Sequence, residues 1–498
     1  MYKKFFAFMI LTIFLSAATT VNSTTIKNTL NDDLDPLVDV YVTVEIKIIR
    51  FLEDKLETPF IESNSLVRFP LLIKLLDKYY RPTFNSNDIP DFFVKVFINN
   101  EEFSSDIWPD SKYIYESWTA TLNVPDDQEF VDIKVQLWNL EDNENNIPCD
   151  ISGDSDDYDV ELTYSIKTGM WTGGDYLNDP SGYGRLCGTD DGTIYEKDND
   201  CEIWFDVYQN DFDGDGIPYW NEVNNIGTDP LVDDALKDPD NDGIPTSWEW
   251  KWGYDPVVWE DHKNLDPDED SLNNSEEYIT SQWFSDPFRK DVFVELDIME
   301  DGPNGEKVYF PEMSEELLNT AFDRQNIVFH LDYWDMGGTD YVPFDDLSTR
   351  NELEQAYRDY FLHNDDENWR RGVFRYGIIT YNVDTAPGWM YRPNAWQLAS
   401  LGMEALTRYD WLDRDIIYAS GYMHELGHIF SFNPIPGHNK QSQYPWQLGY
   451  WINRPYKSCM NYGWVYTLVD YSDGTRKSPD IDDWARINYE SFENEWRI

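Results

Sequence analysis

An acidic segment that occurs three times between residues 206 and 290 divides the chain and restricts its fold. The copies read DFDGDGIPYWNE (211–222), DPDNDGIPTSWE (238–249) and DPDEDSLNNSEE (266–277), and their starts lie 27 and 28 residues apart. Calcium takes about six to eight oxygen ligands; carboxylates at alternate positions can surround one side of the ion, and a later glutamate can close the other. The pattern therefore predicts three calcium sites with the ligands Asp211, Asp213, Asp215, Glu222, Asp238, Asp240, Asp242, Glu249, Asp266, Asp268, Asp270 and Glu277.

The sixth position of each copy must turn sharply, which favours glycine. Gly216 and Gly243 meet this requirement, whereas the third copy has Ser271 and is predicted to be the weakest site. A flexible acidic linker is the alternative, but the repetition of four ligands at fixed offsets disfavours it. The copies resemble EF-hand loops and thrombospondin type 3 repeats. This resemblance implies a stacked array that calcium stiffens into a spacer.

The whole chain is strongly acidic, with 95 Asp and Glu against 38 Lys and Arg, and a formal net charge of −57. Such a surface repels the phosphates of nucleic acids and anionic membrane surfaces, so we predict no nucleic acid partner. Two interpretations of the charge can hold together. Part of it belongs to calcium ligands, and part is a solvated acidic surface.

The first 22 residues have the layout of a secretory signal peptide. A basic start at Lys3 and Lys4 precedes an apolar run over residues 5–15, and small residues follow at 16–18. The run is short for a membrane span, which needs roughly twenty residues, and an uncleaved anchor is the minor alternative. We predict a protein that is secreted or exposed at the cell surface, with no membrane span after signal-peptide removal.

Residues 36–205 are predicted to form an antiparallel β-sandwich. The segments 39–49, 91–99 and 130–140 are alternating or β-branched runs separated by Asn, Asp, Pro and Gly clusters. The acidic run over 149–159 is interpreted as a solvated loop, with a cation-binding loop as the alternative. Cys187 and Cys201 flank an acidic loop and could pair in an exported protein, although the sequence cannot fix the connectivity.

Residues 291–498 have a mixed α and β pattern. Strands are predicted over 290–300, 326–335 and 373–383, and helices over 314–325 and 413–432; this alternation indicates a twisted sheet with helices packed on it. The chain is therefore predicted to be multidomain. Its parts are a signal peptide (1–22), an N-terminal antiparallel β-sandwich (36–205), a calcium-binding repeat spacer (206–290) and a C-terminal α/β domain (291–498).

The helix predicted over 413–432 contains HELGH, in a chain with only six histidines. His424 and His428 lie one turn apart on one face and can bind the same zinc ion. Glu425 projects to the side, where it can take a proton from a zinc-bound water and pass it to a leaving amine. H-E-x-x-H on a helix with apolar neighbours therefore predicts a zinc site with Glu425 as the general base.

A catalytic zinc site needs a third protein ligand and an open position for water. Between His428 and Asp470 the chain has no Asp and no Glu, which leaves His438 and Cys459 as residues of ligand type. We predict His438, because the prolines and glycine of NPIPG (433–437) break the helix and can turn the chain back toward the ion.

HELGH, a chain reversal, a third histidine and SCMNY (458–462) together resemble the metzincin metallopeptidases. The resemblance covers residues 291–498 and implies a metzincin-like zinc metallopeptidase domain with Met460 in a Met-turn beneath the zinc. It also implies that Tyr462 can stabilise the oxyanion of the tetrahedral intermediate, and that an edge strand aligns a peptide by β-augmentation.

The spacing departs from the family pattern HExxHxxGxxH. Position 431 is Ser instead of Gly, position 434 is Pro instead of His, and His438 comes four residues late. The simplest interpretation is an insertion in the turn, and an altered third ligand is the alternative.

These residues predict a secreted zinc endopeptidase that acts on a protein or peptide substrate, with Zn²⁺ and Ca²⁺ as cofactors. Two alternatives remain open. One is a calcium-dependent surface or adhesion protein with an inactive metallopeptidase-like domain. The other is a metallohydrolase with a non-peptide substrate. The sequence leaves the cleavage specificity and the oligomeric state undetermined.

Overall fold

The computed structural model describes residues 39–52 and 89–490, except 126, 142–144, 155–156, 178–181, 192–198, 385 and 410–411. The predicted signal peptide lies outside this part of the chain. Within it, no helix combines the length and the apolar character needed to cross a bilayer.

The described residues between 40 and 209 form the β-rich N-terminal region. Its strands are β1 (Val40–Phe51), β2 (Phe92–Ile98), β3 (Glu101–Ser104), β4 (Tyr113–Ile114), β5 (Trp118–Val124), β6 (Phe130–Glu141), β7 (Asn145–Cys149), β8 (Val160–Ser165), β9 (Met170–Gly173), β10 (Gly184–Cys187) and β11 (Cys201–Gln209). One antiparallel sheet has the order β10-β11-β1-β4, with β5 also paired to β1; the other has the order β3-β2-β6-β8-β9, with β7 paired to β6. Strand β11 continues past the predicted boundary at residue 205.

The two antiparallel sheets share one apolar core because their strands alternate between an inner and an outer face. Along β2, Val94, Val96 and Ile98 are fully buried, while the intervening Lys95 and Phe97 are partly exposed. Valines of β1 belong to the same core cluster as these residues. The N-terminal region is therefore a two-layer β structure, as its alternating runs predict.

All four cysteines are buried and free. Cys201 shares a hydrogen bond with Cys149, and burial together with this contact raises the pKa of the Cys201 thiol. Cys187 instead contacts the hydroxyl of Thr189, with 3.1 Å between Sγ and Oγ1. Cys187 and Cys201, which the sequence suggests as a pair, are therefore not bonded to each other.

The repeat segment forms short helices that each begin directly after an acidic loop: α1 (Tyr219–Asn221), α2 (Thr246–Lys251) and α3 (Asn274–Thr280). Pro218 and Pro245 occupy the N-cap positions of the first two, where a missing N–H costs little. The third begins at Asn273, whose side chain accepts hydrogen bonds from the backbone N–H groups of Ser275 and Glu276. A π-helical turn over Glu222–Ile226 continues α1.

The C-terminal region contains a mixed sheet with helices. Its strands are β12 (Asp291–Met299), β13 (Val328–Asp332), β14 (Tyr341–Val342), β15 (Phe374–Thr380), β16 (Gly388–Arg392) and β17 (Ala395–Ala399). Its helices are α4 (Glu312–Asp323), α5 (Arg350–Ala356), α6 (Ser400–Thr407), α7 (Arg414–Ile429) and α8 (Leu448–Asn453). The strand order is β13-β12-β15-β17-β16, with β14 paired to β12.

All pairs in this sheet are parallel except β16 with β17, which are antiparallel. Every residue of β12 and β15 is buried, as expected for parallel strands covered on both faces. Helix α4 starts two residues before the predicted 314, because Pro311 takes the N-cap position. Helices α4 and α7 share the core cluster that covers β12 and β13.

A buried ionic cluster joins the β-sandwich to the C-terminal region. Arg50 of β1 donates to the Asp323 carboxylate of α4 at 2.6 Å, and Arg185 of β10 donates to the Asp323 carbonyl at 3.2 Å. Burial alone would raise the pKa of Glu202, but the neighbouring guanidinium groups of Arg185, Arg50 and Arg289 lower it to about 2. The carboxylates of this cluster are buried, and the guanidinium groups beside them compensate their charge.

Candidate functional site

Helix α7 carries the HELGH motif on the side of the molecule where β16 forms the sheet edge. Asp413 caps its start by accepting a hydrogen bond from the Asp415 backbone N–H at 2.9 Å. The helix ends at Ile429, earlier than the predicted 432, because Ser431 adopts a left-handed φ of 63°. The Ser431 N–H donates to the His428 carbonyl at 3.1 Å. A side chain in this conformation costs roughly 1–2 kcal/mol.

The three histidines of the predicted zinc site converge. Their rings lie 5.0 Å (His424 to His428), 5.2 Å (His424 to His438) and 4.8 Å (His428 to His438) apart between centroids. The Nε2 atoms of His424 and His438 are 3.3 Å apart, and one nitrogen of each ring lies within 4.8 Å of the others. Donors bound to one tetrahedral zinc at about 2.05 Å are about 3.3 Å apart, so this cluster fits that ion.

The predicted Met-turn packs directly against α7. The His424 Nδ1 lies 2.8 Å from the Cys459 carbonyl oxygen, which can only accept, so Nδ1 carries the proton and Nε2 is free to bind a metal. Met460 is fully buried, and a Cβ atom added at Gly427 would lie 2.4 Å from its Sδ. The lack of a side chain at Gly427 therefore allows the turn that contains Met460 to pack closely against α7.

The NPIPG loop is attached to the same turn, and this attachment brings His438 to the site. The Tyr462 N–H donates to the Gly437 carbonyl at 3.3 Å. Gly437 has a left-handed φ of 76°, and a Cβ atom added there would lie 2.3 Å from Oδ1 of Asn461. Only glycine fits this position without displacing the loop.

Burial keeps the imidazoles neutral at physiological pH. It lowers the pKa of His424 well below its ordinary value and that of His428 to about 4, with the neighbouring rings adding to the effect. Burial also lowers the pKa of His438. Neutral imidazole is the form that binds metal ions, so these three side chains are already in the ligating state.

Glu425 is buried beside the edge strand. Its side chain is only 6% exposed, and burial raises the pKa of its carboxyl to about 8. A Cβ atom added at Gly388 of β16 would lie 2.2 Å from Glu425 Oε1, so the backbone of β16 passes directly over the carboxylate. Tyr462 is half-buried on the other side, with its ring centroid 4.3 Å from that of His438.

A cavity of about 580 Å³ opens next to His428 between the edge strand and the end of α7. Its lining residues are Arg350, Trp389, Met390, Tyr391, Arg392, Pro393, His428, Ser431 and Asn488. Two arginines at this position contrast with the strongly negative charge of the whole chain.

The acidic repeats form three similar loops. In each, the first Asp accepts hydrogen bonds from backbone N–H groups three to five residues later, as Asp211 does from Gly214 at 2.7 Å and from Gly216 at 2.8 Å. The sixth residue is left-handed in every copy, with φ of 87° at Gly216, 102° at Gly243 and 78° at Ser271. The sixth residue of the third loop therefore has the same backbone conformation as in the other loops, although the serine side chain makes that conformation less favourable than it is for glycine.

The loop carboxylates have buried oxygens that lack hydrogen-bond partners among the described residues, including both oxygens of Asp213 and of Glu249. Burial raises the pKa of Asp215 to about 6 and that of Glu222 to about 7. In the third loop, burial and then Asp270 raise the pKa of Asp268 to about 11. An unpartnered buried carboxylate is costly, and a divalent cation removes this cost, so the loops fit calcium.

Each loop also engages a residue from beyond its own twelve positions, which the sequence interpretation missed. The fifth residue of each loop accepts a hydrogen bond from the backbone N–H of an acidic residue further along the chain: Asp215 from Asp234 (3.4 Å), Asp242 from Glu260 (3.2 Å) and Asp270 from Asp291 (2.6 Å). An acidic residue that recurs 18 to 21 positions after the fifth was the available signal.

Two of the groups that could hold a cation contain a residue from beyond the twelve positions of the loop. Asp215, Glu222 and Asp234 form one, and Asp242, Glu249 and His262 form another. His262 carried no signal in the sequence, because no other copy has a histidine at that place.

No protein-family model and no curated protein matches the sequence. Among solved structures, a C2 domain of plant extended synaptotagmin 1 is 10% identical, with a TM-score of 0.20 over 36% of this chain and 97% of that chain. Human GIVD cytosolic phospholipase A2 is also 10% identical, with a TM-score of 0.19 over 34% of this chain and only 16% of that chain. Similarities of this size support no conclusion about activity, substrate or ligand.

Proposed function

We propose that this protein is a secreted zinc endopeptidase whose metzincin-like catalytic region comprises residues 291–498. The observation that carries the proposal is the convergence of three neutral imidazoles around one point beside a buried glutamate. Zinc bound there would polarise a substrate carbonyl and lower the pKa of a bound water toward neutrality.

Glu425 would act as the general base. Its carboxylate can take the proton of the attacking water and deliver it to the leaving amine nitrogen, because it adjoins the histidines without belonging to the cluster. Burial raises the pKa of Glu425 to about 8 when no cation is bound, and a zinc ion beside it would lower this pKa, so that the carboxylate could accept the water proton and later return it to the amine. Tyr462, beside His438, could donate a hydrogen bond to the oxyanion.

A peptide substrate would add to the sheet along β16. This strand is the last in the sheet order and runs antiparallel to β17, so its outer edge has N–H and C=O groups available for an extended chain. The approach of Gly388 to Glu425 means that a peptide bound along this edge passes over the general base.

Substitution of the general base tests the proposal. In full-length protein, Glu425→Ala is expected to lower casein hydrolysis by roughly 100- to 10,000-fold, because general-base catalysis contributes about that much, while zinc content is unchanged. The matched control is Glu312→Gln, at an exposed glutamate at the start of α4, which should leave the rate unaltered. Unchanged cleavage by Glu425→Ala would reject the assignment.

The calcium-dependent adhesion protein is the competing function. A purified chain that retains no zinc after dialysis, and whose casein cleavage is not sensitive to chelators, would favour it. A zinc-loaded chain that hydrolyses esters or other amides but no peptides would favour the non-peptide hydrolase.

A further inference from the structure

His262 lies between the second and third repeats and faces the second loop. Its Nε2 is 3.2 Å from Asp242 Oδ2 and 3.7 Å from Glu249 Oε1. The histidine is 1% exposed and Glu249 is fully buried. An imidazole and two carboxylates thus point toward one buried position.

The imidazole and carboxylate atoms that face this position are free to bind a cation. Among the described residues, His262 Nε2 and both Glu249 oxygens make no hydrogen bond of good geometry, and only a protonated His262 would pair with Asp242 and Glu249. Buried groups in this state destabilise a fold unless another species pairs with them. The separations of 3.2 and 3.7 Å bracket the distance of about 3.3 Å between donors on one small tetrahedral cation.

The surroundings of His262 suit a metal ligand. Its Nδ1 lies 2.9 Å from the Asn274 side-chain amide, whose buried Oδ1 has no hydrogen-bond partner among the described residues. Rotating this amide by 180° lets Oδ1 accept from Nδ1–H, which leaves the Nε2 lone pair for a cation. Tyr254 and Trp248 cover the ring edge-on, at 4.9 and 6.0 Å between centroids, and enclose the position in apolar surface.

The first repeat provides an internal comparison. There the group at the same end of the loop is Asp215, Glu222 and Asp234, which offers only oxygen. By its backbone hydrogen bond Asp234 matches Glu260 of the second repeat, and His262 follows Glu260 by two residues. Asp234 follows Asp215 by 19 residues, and His262 follows Asp242 by 20. Calcium binds oxygen ligands, whereas imidazole nitrogen suits zinc and related transition metals. The two repeats therefore differ in the chemistry of the ligand that arrives from the following unit.

We propose that Asp242, Glu249 and His262 form a second transition-metal site in the middle repeat, separate from the histidine cluster of α7, while the first repeat binds calcium. The bound ion would join α2 to the segment that leads into the third repeat. This inference does not depend on the proposed peptidase activity.

Zinc content of the full-length protein tests the proposal. It is measured by mass spectrometry after dialysis against excess calcium and a low, buffered concentration of free zinc. The wild type is expected to retain about two zinc ions. The variant His262→Asp and the double variant His424→Ala/His428→Ala are each expected to retain about one. The converse variant, Asp234→His, should gain about one, and it keeps the test informative if His262→Asp fails to fold.

Equal zinc content in the wild type and a folded His262→Asp variant, or no gain in Asp234→His, would overturn the inference. In that case His262 is an imidazolium that pairs with Asp242 and Glu249. If instead the histidine cluster of α7 binds no zinc, the double histidine variant would contain as much zinc as the wild type. His262→Asp would still contain less than the wild type.

Discussion

The repeat loops and the histidine cluster of α7 are both candidate metal sites, but they are built in opposite ways. Each loop takes most of its ligands from twelve consecutive residues, and its backbone N–H groups fix the first Asp locally. The cluster takes His424 and His428 from a helix and His438 from the loop that follows it, and a segment from later in the chain, with Met460 and Asn461, packs against both.

The two designs should respond differently to loss of their ions. Carboxylates buried side by side repel one another, so the loops need a cation to be stable. Neutral imidazoles do not repel one another in this way, and their positions depend on the apolar core around α7. We therefore expect the cluster to remain assembled without metal and the loops to loosen.

The largest expected effect is that of removing the third histidine. His438→Ala should weaken zinc binding by at least ~100-fold and lower peptide hydrolysis accordingly, because two ligands cannot complete a catalytic zinc site. A chromophoric chelator in competition measures the affinity. His363→Ala, at a half-exposed histidine, is the control. Zinc affinity equal to that of the wild type would show that another residue is the third ligand.

Calcium removal tests the contrast directly. A site saturated at 100 times its Kd adds about 2.7 kcal/mol, so amides in residues 211–277 should exchange hydrogen roughly 100-fold faster without calcium. Amides of α7 should change little when zinc is removed and calcium is kept saturating. Hydrogen exchange with mass spectrometry, after removal of each ion in turn, provides both values. Equal acceleration in the two regions would contradict the proposed difference.

Gly437→Ala tests whether packing alone positions His438. The added Cβ would meet Asn461 at 2.3 Å in a left-handed backbone. We expect roughly tenfold lower kcat/KM from displacement of the imidazole. Gly305→Ala is the matched control, because it has φ of 98° but no atom within 4 Å of the added Cβ. Equal losses of activity in both variants would mean that strain, and not the contact, is responsible.

The smallest effect is expected at the sixth position of the third loop. Ser271→Gly removes a side chain from a backbone with φ of 78° and should tighten calcium binding there by about 1 kcal/mol, roughly fivefold. The converse change Gly216→Ser, at a φ of 87°, should weaken calcium binding by the first loop by a similar amount. Calcium titration calorimetry of the two variants checks the pair, and affinities that do not change would show that this turn is not under strain.

The local features of the chain were predictable from the sequence. Alternating or β-branched runs predicted β1, β2 and β6, and the HELGH helix needed correction only at its end. The loop ligands follow from offsets within twelve residues, and a turn of helix places His424 and His428 on one face, because both depend on short-range backbone geometry.

The contacts between distant segments could be decided only by the tertiary structure. The approach of His438 depends on Gly437 packing against Asn461, and the proton on His424 depends on the carbonyl of Cys459. His262, Asp234 and Asp291 reach their loops from the units that follow, and Cys201 contacts Cys149 across the two sheets instead of Cys187. Apart from the acidic residue that recurs 18 to 21 positions after the fifth loop residue, sequence spacing does not indicate these contacts, since they depend on how completed elements pack together.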